Sequence, residues 1–211
     1  MLPDRTIDFT AVHLADLQSM IEQGTNGGAA GVIRRLGFQC INGALAARGL
    51  FDAGSSTGLW LTGDFVSTPL RLARTINDGP VGQAGTPRAV AKLFTLAAQR
   101  ALVQFETASN DEMLALLGNS LPHDPPFIGR NLDISRAGVS RSRSFDVTHN
   151  KLGLGPLKRG GNVHSEGSIV THRDSGRRFV VTWQNMPART DADFRTITRL
   201  VDLVIERFVT P

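Results

Sequence analysis

Apolar residues recur at helical spacing through much of the first 120 positions and give way to alternating spacing only in the last third of the chain. Thr10 is placed to cap a first helix whose apolar positions are Val12, Leu14, Leu17, Met20 and Ile21. The run Gly24-Thr25-Asn26-Gly27-Gly28 stops it. A second helix follows on Ala29, Ala30, Val32, Ile33 and Leu36, ended by Gly37. A third, on Ile41, Ala44, Leu45 and Ala46, is closed by Gly49.

Residues 51–85 are rich in Gly, Ser, Thr and Pro and read as a long structured loop. Gly54-Ser55-Ser56-Thr57-Gly58 and Asn77-Asp78-Gly79-Pro80 are turn signals, with Leu59 to Gly63 a short extended piece between them. Thr86-Pro87 reads as N-cap and first helical residue of a helix carrying Val90, Leu93, Phe94 and Ala97. Another helix should start near Ser109 and carry Met113, Leu114, Leu116 and Leu117. Residues 118–143, with His123-Asp124-Pro125-Pro126 and an Arg/Ser-rich run, should be irregular.

Three strands are then expected, at about 144–148, 163–170 and 179–183, and Asp174-Ser175-Gly176 joins the last two as an antiparallel hairpin. A final helix from about Thr190 puts Phe194, Ile197, Leu200, Val201, Val204 and Phe208 on one face. It is long enough to cover one side of the sheet. The expected class is α+β in a single domain over 1–211. A helical part spans about 8–143, and a small antiparallel sheet with its closing helix spans about 144–211.

Composition narrows the chemistry. The 41% hydrophobic and 20% charged content belong to an ordinary globular chain. One cysteine, Cys40, excludes an intramolecular disulfide and a Cys-rich zinc site. Cys40 falls on an apolar helical pattern, which predicts a buried small hydrophobe. No apolar run approaches the ~18 residues of a membrane span. No basic region followed by an apolar core opens the sequence, so the chain as written is expected in the cytoplasm.

The net charge of +4 is uneven: residues 129–178 hold ten Lys+Arg against four Asp+Glu, while residues 1–128 hold nine against eleven. A solvated face is one reading of the basic stretch. The other is a positive field drawing an anionic substrate, such as a carboxylate, toward Lys151. Aromatics do not interleave with the basic residues, so a nucleic-acid partner is not expected.

Two segments carry a family resemblance. Ser19-Met20-Ile21-Glu22-Gln23-Gly24-Thr25-Asn26-Gly27-Gly28-Ala29-Ala30 and His149-Asn150-Lys151-Leu152-Gly153-Leu154-Gly155 resemble two of the three active-site signatures of class A β-lactamases and penicillin-binding serine hydrolases, S-D-N and K-T-G. Order, flanking elements and spacing extend the resemblance over nearly the whole chain. The third signature, S-x-x-K, does not occur: the residues three before Lys92, Lys151 and Lys158 are Ala89, Thr148 and Gly155. The chain resembles such an enzyme without its nucleophile-bearing segment.

The resemblance implies acyl-serine chemistry on an amide, lactam or ester, with roles for particular residues. Asn26 would hold a substrate amide, and Lys151 would orient a substrate carboxylate. Gly153 would let substrate approach the strand edge, and the backbone N–H of Leu154 would take the place of an oxyanion donor. Gly24 stands where the family has its proton-relay serine, and Thr25 one position on could lend a hydroxyl only if the turn shifts. Asp64 is the best-spaced carboxylate in 51–85 for the family's loop glutamate; a solvated loop aspartate is the alternative.

A substrate with a carboxylate, small molecule or peptide, is the implied ligand; no cofactor and no metal are implied. Relatives are periplasmic or secreted. The family's sheet also receives strands from the segment before the nucleophile. Without them one sheet edge should be exposed, which predicts self-association. A module that binds a cell-wall peptide without catalysis is the competing reading.

Other sites are weaker. His164, Glu166 and His172 share strand parity, but His164 and His172 would lie ~26 Å apart at ~3.3 Å per residue, too far to share a metal. Trp60 and Trp183 read as packing anchors.

Overall fold

The computed structural model describes residues 11–52, 57–64, 66, 85–102, 107–121, 144–156, 162–185 and 191–210. Thr10, the turn signal at 77–80, the His123–Pro126 stretch and residues 122–143 of the irregular segment lie outside them.

Three helices open the fold: α1 (Ala11–Ile21), α2 (Asn26–Leu36) and α3 (Phe38–Ala47). Helix α2 begins at Asn26, inside the run expected to be a turn, because Thr25 caps it: its hydroxyl accepts the Gly28 N–H at 3.2 Å. Gly24, at φ 68°, makes the bend before the cap. Gly28 sits where α2 crosses α1. A Cβ there would stand 2.7 Å from Met20 N and 2.8 Å from Asp16 O, so only glycine permits this crossing.

Part of the expected loop is ordered as a two-residue ladder, β1 (Phe51–Asp52) against β2 (Thr57–Gly58). Asn42, buried on α3, pins the segment that follows by bonding both N–H and C=O of Leu61. Trp60 packs against Phe51 with ring centroids 4.3 Å apart.

Helix α4 (Pro87–Ala98) starts as its sequence predicts, with Thr86 accepting the Ala89 N–H at 3.3 Å and Pro87 at the first helical position. Helix α5 (Thr107–Asn119) begins two residues before the expected Ser109.

The main sheet has three antiparallel strands in the order β3 (Phe145–Pro156), β4 (Asn162–His172), β5 (Arg178–Asn185). Strand β3 runs well beyond the expected Thr148 and carries the Lys151 segment inside the ladder, past an irregularity between Val147 and His149. The β4–β5 hairpin turns at residues 173–175, with Gly176 at φ 67°.

Both sheet faces are covered. Ile169 and Val180 pack against Phe94, Ala97, Leu114 and Leu117 of α4 and α5. On the other face, Phe145, Val170, Phe179, Val181 and Trp183 pack under the closing helix α6 (Asp191–Val209), through Val201 and Ile205. The architecture is α+β with helices on both sides of a small sheet.

Two expectations fail on burial. The buried line of α6 is Thr198, Val201 and Ile205, whereas Leu200, Val204 and Phe208 are 56%, 53% and 65% exposed. The predicted stripe lies about 70° round the helix from the buried one, with Val201 common to both, because apolar character alone marks two lines on this helix. Cys40 is exposed, not buried: α3 turns that side of itself outward, and its buried residue is the polar Asn42.

The two sides of the sheet predict contrasting mutational costs. Phe145→Ala removes a fully buried ring and should cost about 3–5 kcal/mol. Leu203→Ala on the exposed side of α6 should stay within about 0.5 kcal/mol. Urea denaturation checks both, and equal costs would contradict the packing described.

Candidate functional site

The C-terminal end of α5 joins the two segments singled out in the sequence. Asn119 Nδ2 donates to Glu22 Oε1 at 3.0 Å, two residues before Gly24. The next residue, Ser120, is fully buried and its hydroxyl lies 2.8 Å from the carbonyl oxygen and 2.7 Å from the side-chain oxygen of Asn150. A third acceptor, Leu117 O, stands at 2.9 Å. Three oxygens thus lie within reach of one hydroxyl proton in a buried site, and two of them belong to Asn150, which holds the helix end against the strand. Lys151 is the next residue along. The last residue of α5 and the residue after it therefore tether the bend before α2 and the start of the Lys-Leu-Gly segment.

Within that segment, register decides which way groups face. Lys151 pairs with Gly167, and a Cβ on Gly167 would meet the Phe94 ring of α4. Lys151 therefore lies on the sheet face that carries α4 and α5. Gly153 pairs with Ser165 on that face, and a Cβ at 153 would collide with the Ser165 hydroxyl. The Ser165 hydroxyl, which donates to Gly153 O at 3.4 Å, occupies the space that the missing side chain leaves, and a larger residue at 153 would turn it aside. The Leu154 backbone continues the ladder opposite His164.

The bend offers less free chemistry than its residue types suggest. The Thr25 hydroxyl caps α2 and lies 2.5 Å from Ser19 Oγ. Asn26 is the first residue of α2 and is exposed.

Asp64 is not a solvated loop residue. It is 7% exposed, takes Arg34 Nε and Nη2 at 3.2 and 3.0 Å, and accepts the Val66 N–H at 3.1 Å. It ties the loop to α2, with one carboxylate oxygen on the guanidinium and the other on the backbone.

His149 precedes the segment and packs on the α5 side, with its Cδ2 3.7 Å from where a Cβ on Gly118 would stand. Its Nδ1 lies 2.9 Å from Thr148 Oγ1. Burial, and secondarily the Arg178 charge, hold its pKa below the ordinary imidazole value. Glu166 is buried on the α6 side of the sheet, where Ser168 Oγ donates to it at 2.6 Å and Trp183 Nε1 at 3.1 Å. Trp183 itself packs under α6. Among the described residues no group of three or more His, Cys, Asp and Glu could hold a metal ion. Among them, too, no helix is long and apolar enough to cross a membrane.

Sequence reasoning missed Asn119, Ser120 and Ser165. Two polar residues ending an apolar helix just before Pro122 were a usable signal for the first pair. Nothing local marked Ser165, whose importance comes from its cross-strand glycine.

No sequence-family model matches the chain, and no curated protein sequence matches it. Solved structures do. The chain is similar to the class A β-lactamase from Mycobacterium abscessus, at 16% identity over 93% of this chain and 65% of that one, with a TM-score of 0.57. It is similar to the ancestral class A β-lactamase reconstructed for Gram-negative bacteria, at 22% identity over 92% and 65%, TM-score 0.55. The chromosome-encoded β-lactamase of Vibrio parahaemolyticus matches at 10% identity over 94% and 66%, TM-score 0.56. The fold is thus that of the class A β-lactamases, of whose solved chains this one spans about 65%.

A pH dependence follows from His149. Its lowered folded-state pKa means the unfolded chain takes up the proton first. Stability is therefore full above about pH 6.5 and falls as pH drops below it. His149→Gln should flatten that decline in urea midpoints measured from pH 7.5 to 5.5. An unchanged slope would contradict the burial assigned to the ring.

Proposed function

We propose that the chain is a β-lactamase-related serine hydrolase domain whose cleft binds a carboxylate-bearing amide, lactam or peptide and which does not acylate through its own residues. The observation that carries this reading is the pair of α5 tethers, Asn119 to Glu22 and Ser120 to Asn150, which serve the two signature-like segments together. Lys151 supplies the positive charge for a carboxylate, Asn26 an amide for the substrate amide, and the Leu154 N–H a donor for a carbonyl oxygen.

Acyl transfer needs more than these groups supply. It needs an activated nucleophile and a proton relay to the leaving nitrogen. Within the 211 residues no S-x-x-K is present, and Gly24 stands at the relay position. The Thr25 hydroxyl, engaged as helix cap, favours the second reading, a module that binds a cell-wall peptide or another carboxylate without catalysis. Asp64, held by Arg34, acts as a structural pin in either reading.

Fluorescent penicillin should give no covalent adduct with this chain on a denaturing gel. Benzylpenicillin should bind reversibly in an NMR titration, and Lys151→Ala should weaken that binding by about tenfold, the size of one charge-assisted hydrogen bond. A covalent adduct would overturn the non-acylating part. Binding unaffected by Lys151→Ala would overturn the cleft.

A further inference from the structure

Backbone direction along β3 follows from the far end of the sheet. His172 N donates to Arg177 O and Arg173 N to Ser144 O, both at 2.8 Å, so His172 turns its backbone groups toward β5 and Arg173 toward β3. Alternation along β4 then turns those of Ile169, Gly167 and Ser165 toward β3. Their partners His149, Lys151 and Gly153 face back, and Asn150, Leu152 and Leu154 face away from β4. The Asn150 carbonyl bears this out, since it takes the Ser120 hydroxyl from that outer side. The Leu154 N–H therefore points where a ligand lying along β3 meets it.

One side chain of β4 reaches toward the same place. Ser165 stands opposite Gly153, and its hydroxyl fills the space of the absent side chain, so it lies over β3 on the face toward α4 and α5. This contact lies within the β3–β4 ladder and is set by that pair alone. Its bond to Gly153 O, at 3.4 Å, is long against the about 2.5–3.0 Å usual between a hydroxyl and an oxygen, so a stronger acceptor takes the proton. The position also lies past the start of α4. Thr182, in the row of Gly167, donates to Pro87 O, on the first residue of that helix. In the next row Gln184 is exposed, and Ser165 and Gly153 are half-buried.

We propose that Ser165 is a ligand-binding residue of the cleft, whose hydroxyl donates to the same carboxylate as the Lys151 ammonium. This rests on the binding function proposed above. Lys151 and Gly153 share a face about 6.6 Å apart along the strand, and Ser165 stands over Gly153. An ammonium on a flexible four-carbon stem spans that gap. The two donors then bracket a carboxylate, and each of its oxygens accepts one bond.

The segment Lys151-Leu152-Gly153 has no hydroxyl of its own. The glycine is what lets the neighbouring strand supply one. Any side chain at 153 takes the space of the Ser165 hydroxyl, so the two positions act as one unit.

NMR titrations of the full 211-residue chain with benzylpenicillin and with its methyl ester test this. Ser165→Ala should weaken binding of the acid about fivefold, the size of one hydrogen bond. The ester, a weaker acceptor, should change by less than about twofold. Gly153→Ala should cost the acid about as much as Ser165→Ala, and the double variant no more than either alone. An ester weakened as much as the acid overturns the proposal, and so do losses at 153 and 165 that add. Acid binding that Lys151→Ala weakens and Ser165→Ala leaves unchanged overturns the role of Ser165 while the cleft stands. An unaltered chain that binds neither compound overturns the cleft and the proposal together.

Discussion

The buried hydroxyl of Ser120 at Asn150 is the contact on which the arrangement of this molecule turns. Both residues are fully buried, so neither can exchange its partner for water at little cost. The contact joins the last turn of α5 to the strand just before Lys151. With Asn119 bonded to Glu22 one residue earlier, a single helix end sets where a helical bend and a β-strand stand relative to each other. Loss of the Ser120 hydroxyl would free that end without emptying the core beneath it.

Around this junction the fold separates its tasks by layer. The face of the sheet toward α4 and α5 carries Lys151, Gly153 and Ser165, and its packing brings the helical part against the strands. The face toward α6 is a second core that also buries a carboxylate, Glu166, between Ser168 and Trp183. A buried carboxyl held by two donors is costly to strip of them, which resists sliding of β4 against β5. On the outer side of the same α6, Leu200, Leu203, Val204 and Phe208 are exposed. The two faces thus carry separate cores, one toward α4 and α5 and the other toward α6.

Much of the fold was legible in the sequence. Caps announced α4, where Thr86 and Pro87 behave as their chemistry dictates, and the Asp174-Ser175-Gly176 turn announced the β4–β5 hairpin. The class and the order of elements followed from the change of hydrophobic period. Burial was less readable. Two apolar lines run along α6, and only the sheet decides which is covered. Cys40 shares its helix with Asn42, and the polar residue is the one drawn inward because it bonds both backbone groups of Leu61. The extent of β3 was underestimated because Lys151, Gly153 and Gly155 are poor strand formers held in register by pairing with β4. At the candidate site, the two signature-like segments could be found by motif. The contact that joins them was not legible: the polar pair Asn119 and Ser120 marks a helix end, but nothing in the sequence pairs Ser120 with Asn150, 30 positions on.

The central claim concerns distance, and a distance can be measured. Spin labels at positions 26 and 151, in a chain with Cys40 replaced by serine, would report it through dipolar coupling. The account predicts a single narrow population across one cleft, of about 10–20 Å, that broadens when Ser120 becomes alanine. A separation of about 30 Å or more, comparable to the breadth of a domain this long, would place the two segments on unrelated surfaces and contradict the account.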